Sequence, residues 1–482
     1  MGSRAVVVSL VLVGWFAHSI RGDETFRAGT AEIDITPSSP MPMWGYGARH
    51  QLLATGVRDA LLAKAVVIEA GGTRLGLVGL DLGRSLGEPH LARIRAAIRD
   101  QAGVEWLVLS GSHTHHGPVL ELKDAPGKGQ GTYDAAVRFV PELERRVIEV
   151  IVQAASRLQP ARWGWSSSPV DFNRNRHARV EPKPRDPELT VIRLDDLQGQ
   201  PLAVLVNFSA HPTLLDAVDL RWSADYPGAM RRHVEQVLGA SCVFLQGAAG
   251  DLSPQTASED HLGPDDPRWA DLVLDADQAA AIQAAWKFSD ADLPQRQRNI
   301  QAAEFRMESF GRRLGGEVVR LARQCTPHTP ERPSVRGKYQ TFDFGSRVNF
   351  HNPALRVLFG FAFFPELAAA AAADFPDNRV PAQLTTVLIN DELALVGGSG
   401  EFFCSHALRL KERSYAVKTL FVGYCNGHHM YFPTIEAVSQ GGYGADPEVS
   451  WVEVGAGEQM MNQALIDLFS WLGKIGRSAF AP

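Results

Sequence analysis

Short apolar runs alternate with longer amphipathic segments along the chain. The runs are rich in Val, Ile and Leu, and four of them are followed directly by Gly, Asp or Asn, which is typical of buried strands. They lie at 65–68, 75–80, 106–109, 202–208, 242–245, 386–389, 393–396 and 418–422, and helical patterns lie at 89–100, 137–158, 229–238, 307–325 and 460–472. Strands that alternate with helices predict an α/β fold with mixed β-sheets flanked by helices.

The N-terminus has the pattern of a secretory signal peptide. Arg4 precedes an apolar run at 5–17, and Ala17-His18-Ser19 forms a small-x-small cleavage site. This run is shorter than the roughly 20 residues that span a bilayer, so a membrane anchor is the weaker alternative. We therefore expect a signal peptide at 1–19 and export to the periplasm or the extracellular space.

Composition and charge exclude several classes of protein. Of the 482 residues, 45% are hydrophobic and 21% are charged, which is too apolar for a disordered chain. The formal net charge is −6 without a basic block, so we expect no nucleic-acid partner. Four cysteines without a C-x-x-C pair permit a disulfide but do not require one, and Cys404 with Cys425 is the pairing we favour.

Two segments interrupt the alternation of strands and helices. The segment 259–299 is rich in Asp, Pro and Gln, and it predicts an exposed excursion with a short Ala-rich helix. The segment 355–373 is nearly all apolar, but Arg356, Pro365 and Glu366 make it unsuitable for spanning a bilayer. It predicts either a buried helix pair or an apolar flap that faces a lipid or an acyl chain.

A cluster of histidines follows the predicted strand at 106–109. The segment 110–118 is SGSHTHHGP, and the carboxyl end of a strand is where open α/β sheets bind ligands. In an extended backbone, His113 and His115 would point to the same side. One imidazole could then bind a metal while the other acts on the bound water.

A second histidine and a carboxylate occupy comparable positions. His211 ends the strand at 202–208, and Glu401 follows the Gly-Gly-Ser-Gly segment 397–400, where it would open a helix at 402–411. With His113 they would form the two-histidine, one-carboxylate set of hydrolytic zinc enzymes. A single histidine or glutamate in such a place is more often structural, and spacing alone does not decide between these alternatives.

The same segments, in this order, resemble the catalytic domain of the neutral ceramidases. The similar patches are AGTAEIDITP at 28–37 with GYG at 45–47, GLDL at 79–82, SHTHHGP at 112–118, NRNR at 173–176, NFSAHP at 207–212, QGAAGDLSP at 246–254, SGEFF at 399–403 and the segment 423–445. The resemblance implies one large catalytic domain over 29–475, with an excursion at about 259–299. Ceramidases continue into a C-terminal immunoglobulin-like domain, which we do not expect here.

The resemblance also implies a cofactor and a site. The cofactor would be Zn²⁺, and the residues in the positions of the family's ligands are His113, His211, Glu401 and Tyr431. Zinc held in this way lowers the pKa of bound water from 15.7 toward about 7.

Three further roles follow from the resemblance. His115 is similar to the family's general acid and base, which takes a proton from water and delivers it to the leaving amine. Tyr443 is similar to the tyrosine that hydrogen-bonds the substrate carbonyl. Arg174 matches the arginine that contacts the oxyanion or the substrate, with Arg176 as the alternative.

This chain departs from the family at three histidines. His116 stands where the family has Ser, and His428 and His429 replace polar residues before the tyrosine ligand. The additional imidazoles could orient the ligands, bind a second metal, or reflect a different substrate.

The sequence therefore predicts an exported zinc hydrolase that cleaves the amide bond of an N-acylated, ceramide-like lipid. The alternatives are a zinc hydrolase of a different amide or ester, and a non-catalytic lipid- or carbohydrate-binding protein on the same scaffold. We expect a small-molecule or lipid amide as the substrate, transient contact with a membrane surface, and no obligate protein partner.

Overall fold

The computed structural model describes residues 26–49, 52–120, 134–272, 274–355, 357, 375 and 377–476. The predicted signal peptide at 1–19 lies outside these residues, as does most of the apolar segment 355–373. Within the described ranges, no helix combines the length and the apolar character needed to cross a membrane.

Strands and helices alternate through most of the described chain. The strands are β1 Phe26–Asp34, β2 Gly56–Val57, β3 Leu62–Ala70, β4 Thr73–Leu80, β5 Val104–Gly111, β6 Gln159–Pro169, β7 Asn173–Asn175, β8 Glu188–Asp196, β9 Pro201–Phe208, β10 Arg221–Trp222, β11 Ser241–Gln246, β12 Leu252–Pro254, β13 Val335–Gly345, β14 Arg379–Ile389, β15 Leu393–Gly398, β16 Glu401–Phe402, β17 Lys418–Val422 and β18 Tyr431–Phe432. The helices are α1 His90–Ala102, α2 Asp134–Ser156, α3 Asp225–Leu238, α4 Ala276–Trp286, α5 Leu293–Gln324, α6 Cys404–Arg413, α7 Ile435–Gln440 and α8 Ala456–Trp471.

Two mixed sheets form the framework. The larger sheet has eight strands in the order β11-β9-β8-β6-β1-β3-β4-β5, and the smaller has the order β13-β14-β15-β17. Pairing is antiparallel in the middle of the large sheet and parallel at both of its edges, between β11 and β9 and between β4 and β5. Strands β15 and β17 are also parallel. The prediction of mixed sheets flanked by helices is therefore confirmed.

Apolar side chains hold the layers together. A central cluster joins both halves of the large sheet to the small sheet, with contributions from Leu77, Leu205, Val243 and Leu395. The outer faces of the sheets are covered by α1 and α2, by α3 and α5, and by α6 and α8. Because strands of both sheets are covered on both faces, they appear in the sequence as continuous apolar runs rather than as alternating patterns.

Loops at the ends of four strands meet at one place. Gly111 N donates to Tyr424 O, Gly423 N donates to Gln246 O, and Gly247 N donates to Phe208 O. These backbone bonds join the ends of β5, β17, β11 and β9. Residues that follow these strands are thereby brought together although they are far apart in sequence.

The structure corrects two predictions about the segment after residue 400. Helix α6 begins at Cys404, so Glu401 lies on β16 rather than opening a helix. The predicted disulfide between Cys404 and Cys425 is also wrong, because all four cysteines are free and buried. Cys404 Sγ lies 3.3 Å from Asp251 Oδ2, so this thiol is hydrogen-bonded to a carboxylate instead.

Candidate metal centre

His113 is fixed in a left-handed turn just beyond β5. Its φ of 69° shows that the segment is not extended, so the predicted period-two argument for His113 and His115 does not hold. The backbone N–H of His113 donates to Leu82 O at 2.9 Å. Its Nδ1 lies 2.7 Å from Gly83 O, and because a carbonyl only accepts, Nδ1 carries the proton. The Nε2 lone pair therefore faces the site.

His211 is held in the same way from a different strand. It follows β9, and its backbone N–H donates to Leu252 O at 3.0 Å. Its Nδ1 lies 2.6 Å from Ala249 O, which again assigns the proton to Nδ1 and leaves Nε2 as an acceptor. A backbone carbonyl behind the ring is the usual support of a metal-binding histidine.

Glu401 directs its carboxylate between the two imidazoles. Glu401 Oε2 lies 3.3 Å from His113 Nε2 and 3.3 Å from His211 Nε2. The residue is 2% exposed, and Oε2 has no hydrogen-bond partner within the described chain. Gly250 permits this position, since a Cβ there would stand 2.4 Å from Glu401 O.

These three residues fit a metal ion. The His113 lone pair and a carboxylate oxygen of Glu401 face each other without a proton between them, which is unfavourable in a buried site unless a cation lies between them. Ligands about 2.0–2.1 Å from a tetrahedral ion are themselves about 3.3–3.4 Å apart, which matches the two observed distances of 3.3 Å. The cluster of His and Glu side chains can therefore hold a metal ion.

The electrostatics of the cluster suit metal binding. Burial, together with the Arg176 guanidinium, lowers the pKa of His211 to about 3, so the imidazole is neutral at neutral pH. Burial opposes ionisation of Glu401, but the imidazoles of His113, His211 and His428 outweigh it and hold the pKa of this carboxyl well below its ordinary value. Neutral imidazoles and an ionised carboxylate are the forms that bind metals.

His115 borders the same cluster. Its Nε2 lies 3.4 Å from His113 Nε2, and the two rings meet edge to face at 5.0 Å. Burial and the neighbouring imidazoles of His113 and His211 hold the pKa of His115 well below its ordinary value. Gly45 supports the ring from behind, because a Cβ at this position would stand 2.3 Å from His115 Cγ.

Two tyrosines lie near Glu401. Tyr431 is buried on β18, and its strand pairs with β16 so that Tyr431 is in register with Glu401. Tyr443 is 62% exposed, and its ring centre lies 5.6 Å from that of Tyr431. The structure therefore brings both predicted tyrosines to the cluster, one in the interior and one at the surface.

The arginine that contacts the cluster is Arg176. Although this residue is exposed, its Nη2 donates to His211 Nε2 at 2.9 Å, to Gly250 O at 3.0 Å and to Tyr431 Oη at 3.1 Å. Arg174, which we predicted first, is exposed in the middle of β7. Its neighbours Asn173 and Asn175 are buried, and side chains alternate along a strand, so Arg174 points away from the interior.

Sequence reasoning missed two contributors, Tyr424 and Arg49, and left open the roles of His116, His428 and His429. The Tyr424 ring stacks on His113 at 4.1 Å, and Arg49 is fully buried with its guanidinium near Trp44 O and His116 Nε2. His116 Nε2 also lies 3.2 Å from Asp216 O, so this imidazole is engaged away from the metal cluster. Only the position of Tyr424, two residues after the apolar run 418–422, could have indicated a site residue.

Comparisons with known proteins find similarity to neutral ceramidases. No family model matches the sequence. The chain is 27% identical to neutral ceramidase A of Dictyostelium discoideum over 296 residues, which are 52% of this chain and 40% of that protein. It is 26% identical to neutral ceramidase 2 of Arabidopsis thaliana over 233 residues, which are 44% of this chain and 30% of that protein.

A solved structure has the same fold. The crystal structure of neutral ceramidase from Pseudomonas aeruginosa aligns with a TM-score of 0.68 at 18% identity, over 95% of this chain and 77% of that one. The matched segments thus span well under half the length of the curated relatives, but nearly all of this chain shares the fold of the crystallised enzyme. Together, these comparisons make the chain similar to neutral ceramidases in part of its sequence and in its fold.

Proposed function

We propose that this protein is a zinc-dependent hydrolase that cleaves the amide bond of an N-acylated, ceramide-like lipid. The observation that carries the proposal is the convergence of His113 Nε2 and His211 Nε2 on one carboxylate oxygen of Glu401 in a buried site. The names of the relatives supply the substrate class.

The donor set favours zinc among the common metal ions. Two imidazoles and one carboxylate, with room for water, are typical of catalytic zinc sites, whereas sites for Mg²⁺ or Ca²⁺ are built from oxygen ligands. His113, His211 and Glu401 would hold the ion, and the resemblance adds Tyr431. A bound zinc ion would act as a Lewis acid and lower the pKa of a coordinated water toward about 7.

His115 would move the proton in this reaction. It is half-buried beside His113, and its lowered pKa keeps the imidazole neutral at neutral pH, the form in which one ring nitrogen has a free lone pair. An amide nitrogen leaves only after protonation, so the same imidazole would return the proton to the amine. Tyr46, 4.8 Å from the His115 ring, limits the orientations of the imidazole.

Arg176 and Tyr443 would stabilise the negative charge that develops on the carbonyl oxygen. Both carry hydrogen-bond donors on the exposed side of Tyr431. When His211 binds the ion, the Arg176 donor that now contacts its Nε2 is released for a substrate oxygen. Loss of one such donor typically lowers the rate by about 10² to 10³.

A metal and activity assay on matched variants tests this function. Zinc content would be measured by mass spectrometry, and hydrolysis would be followed with ceramide that carries a labelled acyl chain, beside an N-acyl amino acid and an acyl ester of the same chain length. His211→Ala should lose both zinc and hydrolysis, while His261→Ala, at an exposed histidine, should keep both. A folded protein without zinc, or zinc-loaded protein that cleaves none of the amides, would overturn the proposal.

We also propose that residues 1–19 direct export. Fusion of these residues to a reporter that is active only outside the cytoplasm tests this, with Arg4→Glu as the comparison because a signal peptide needs its positive N-terminus. A silent reporter on the unaltered segment would contradict export.

A further inference from the structure

His428 is directed at the metal cluster from a rigid loop. The loop joins β17 to β18, and the residues on either side of His428 are fixed by the rest of the protein. Gly427 N donates to Ser85 Oγ at 2.9 Å, and His429 N donates to Ser399 O at 2.9 Å. The backbone of His428 is therefore held at both ends without help from its side chain.

The imidazole of His428 is buried and faces Glu401. Its side chain is 3% exposed, and its Nε2 lies 3.4 Å from Glu401 Oε1. The Trp44 ring meets it edge to face at 5.6 Å, and the Tyr424 ring lies parallel to it at 6.1 Å. These rings fix the orientation in which Nε2 points at the carboxylate.

The distance indicates a ligand rather than a hydrogen-bonding partner. At 3.4 Å the contact is longer than the roughly 2.7–3.2 Å of an N–H···O bond, and His428 Nε2 has no hydrogen-bond partner in the described part of the chain. It is close to the separation of about 3.3–3.4 Å between two atoms that bind one zinc ion, and Oε1 belongs to the same carboxylate whose Oε2 faces His113 and His211. His113, Glu401 and His428 also offer ligand atoms that all lie within 4.8 Å of one another.

We propose that His428 is a further ligand of the same metal ion, so that three imidazoles and the Glu401 carboxylate hold the ion, with Tyr431 outside the ligand set and a position left for water. The inference rests on the proposed metal site. It uses both oxygens of Glu401, with Oε2 toward His113 and His211 and Oε1 toward His428. A carboxylate engaged on both sides cannot rotate freely, so His428 would also fix the orientation of Glu401.

Cobalt substitution of a cysteine variant tests the position directly. A thiolate that binds Co²⁺ gives an intense charge-transfer absorption in the near ultraviolet, which imidazole and carboxylate ligands do not give. His428→Cys loaded with Co²⁺ should show this band. His429→Cys is the matched control and should not, because the neighbouring His429 Nδ1 lies 2.9 Å from Ser399 Oγ instead of facing Glu401.

A second variant separates binding from orientation. His428→Gln keeps an N–H donor that can hydrogen-bond Glu401, but an amide is a poor zinc ligand, so its zinc dissociation constant should rise at least about tenfold. X-ray absorption of the zinc form should show one imidazole fewer than in the wild type, whatever the effect on activity.

The outcomes distinguish this inference from the proposed function. Wild-type protein that binds no metal would overturn both. Wild-type protein that binds zinc and hydrolyses the amide, with no charge-transfer band in cobalt-loaded His428→Cys and unchanged zinc affinity in His428→Gln, would overturn only the role of His428.

Discussion

Glu401 and Tyr431 are partners in register on the parallel strands β16 and β18. Glu401 N donates to Met430 O at 2.8 Å, Phe403 N donates to Phe432 O at 3.1 Å, and Gly250 N donates to Phe402 O at 2.9 Å. The positions of both side chains are thus set by backbone hydrogen bonds rather than by a metal ion. Loss of a ligand should therefore remove the metal without unfolding the protein.

Glu401→Gln tests this separation. Glutamine has the shape of glutamate but no negative charge, so it would leave a cation among neutral imidazoles only. Removal of an outer partner of a metal ligand typically lowers the metal affinity about 10–100-fold. We expect removal of the ligand's own charge to lower the zinc affinity more than about 100-fold. Competition with a chelator measures the affinity, and circular dichroism checks the fold. The exposed Glu436→Gln should behave as wild type; retained zinc affinity in Glu401→Gln would remove the carboxylate from the ligand set.

Arg176→Ala and Arg174→Ala form a matched pair. Only Arg176 contacts His211 and Tyr431, whereas Arg174 lies on the outer face of β7. We expect Arg176→Ala to lower kcat/KM by about 10² to 10³ with zinc retained, because an oxyanion donor is lost. Arg174→Ala should change neither quantity. Equal effects of the two substitutions in steady-state assays would contradict this assignment.

Gly45→Ala should impair the reaction through His115. Gly45 has a φ of 105°, and a Cβ there would stand 2.3 Å from His115 Cγ, so the ring must move. Gly72 has a φ of 80° with nothing within 4 Å of a Cβ, so Gly72→Ala has similar backbone strain, on the order of 1 kcal/mol, without the collision. Both variants should lose stability, but only Gly45→Ala should lower kcat, by at least about tenfold. This size is expected because general acid–base catalysis typically contributes about 10² or more to the rate. Equal kcat values would show that Gly45 does not position His115.

The sequence pattern predicted most of the strands that are buried on both faces, although not β8, and missed those with irregular burial. Apolar runs identified the cores of β3, β4, β5, β9, β11, β15 and β17, because each of these strands is almost wholly buried. Strand β6 has an irregular mixture of buried and exposed positions, and β13 is mostly half-buried, so neither shows a clear period. Periodicity is informative only where burial follows it.

The site was predictable as a set of residues but not as a geometry. The positions of His113 and His211 beyond strands were visible in the sequence, yet the left-handed turn at His113 was not, since left-handed residues other than glycine are uncommon. The choice between Arg174 and Arg176 depended on which face of β7 is buried. His428 could not be assigned because its role depends on a distance to Glu401, which lies on a different strand pair.

Asp251 should make stability fall as the pH rises. Burial raises the pKa of Asp251 to about 6 from 3.8, so between these values the folded state keeps a proton that the unfolded state has released. The stabilising contribution is complete below about pH 4 and is lost through pH 6, which amounts to about 3 kcal/mol in the free energy of unfolding.

Asp251→Asn removes this titration while leaving an acceptor for Cys404 N, which donates to the carboxylate at 2.7 Å. Urea unfolding at several pH values between 4 and 7 should give a wild-type free energy of unfolding that declines relative to that of the variant. Parallel curves for the two proteins would show that Asp251 is ionised in the folded state throughout this range.

Tyr443→Phe should lower turnover without affecting the metal or the fold. The side chain is 62% exposed, so loss of one hydroxyl at this position removes little packing. If the hydroxyl donates to the carbonyl oxygen as charge develops, its loss should lower kcat by about 10² to 10³ and leave KM nearly unchanged, since such a donor acts mainly in the transition state. Zinc content and the unfolding transition should match those of the wild type.

Tyr415→Phe, at a tyrosine that is 61% exposed and packs against Phe469, is the control for removal of a surface hydroxyl. A kcat for Tyr443→Phe equal to that of the control would exclude Tyr443 from the reaction and leave Arg176 as the donor to the oxyanion.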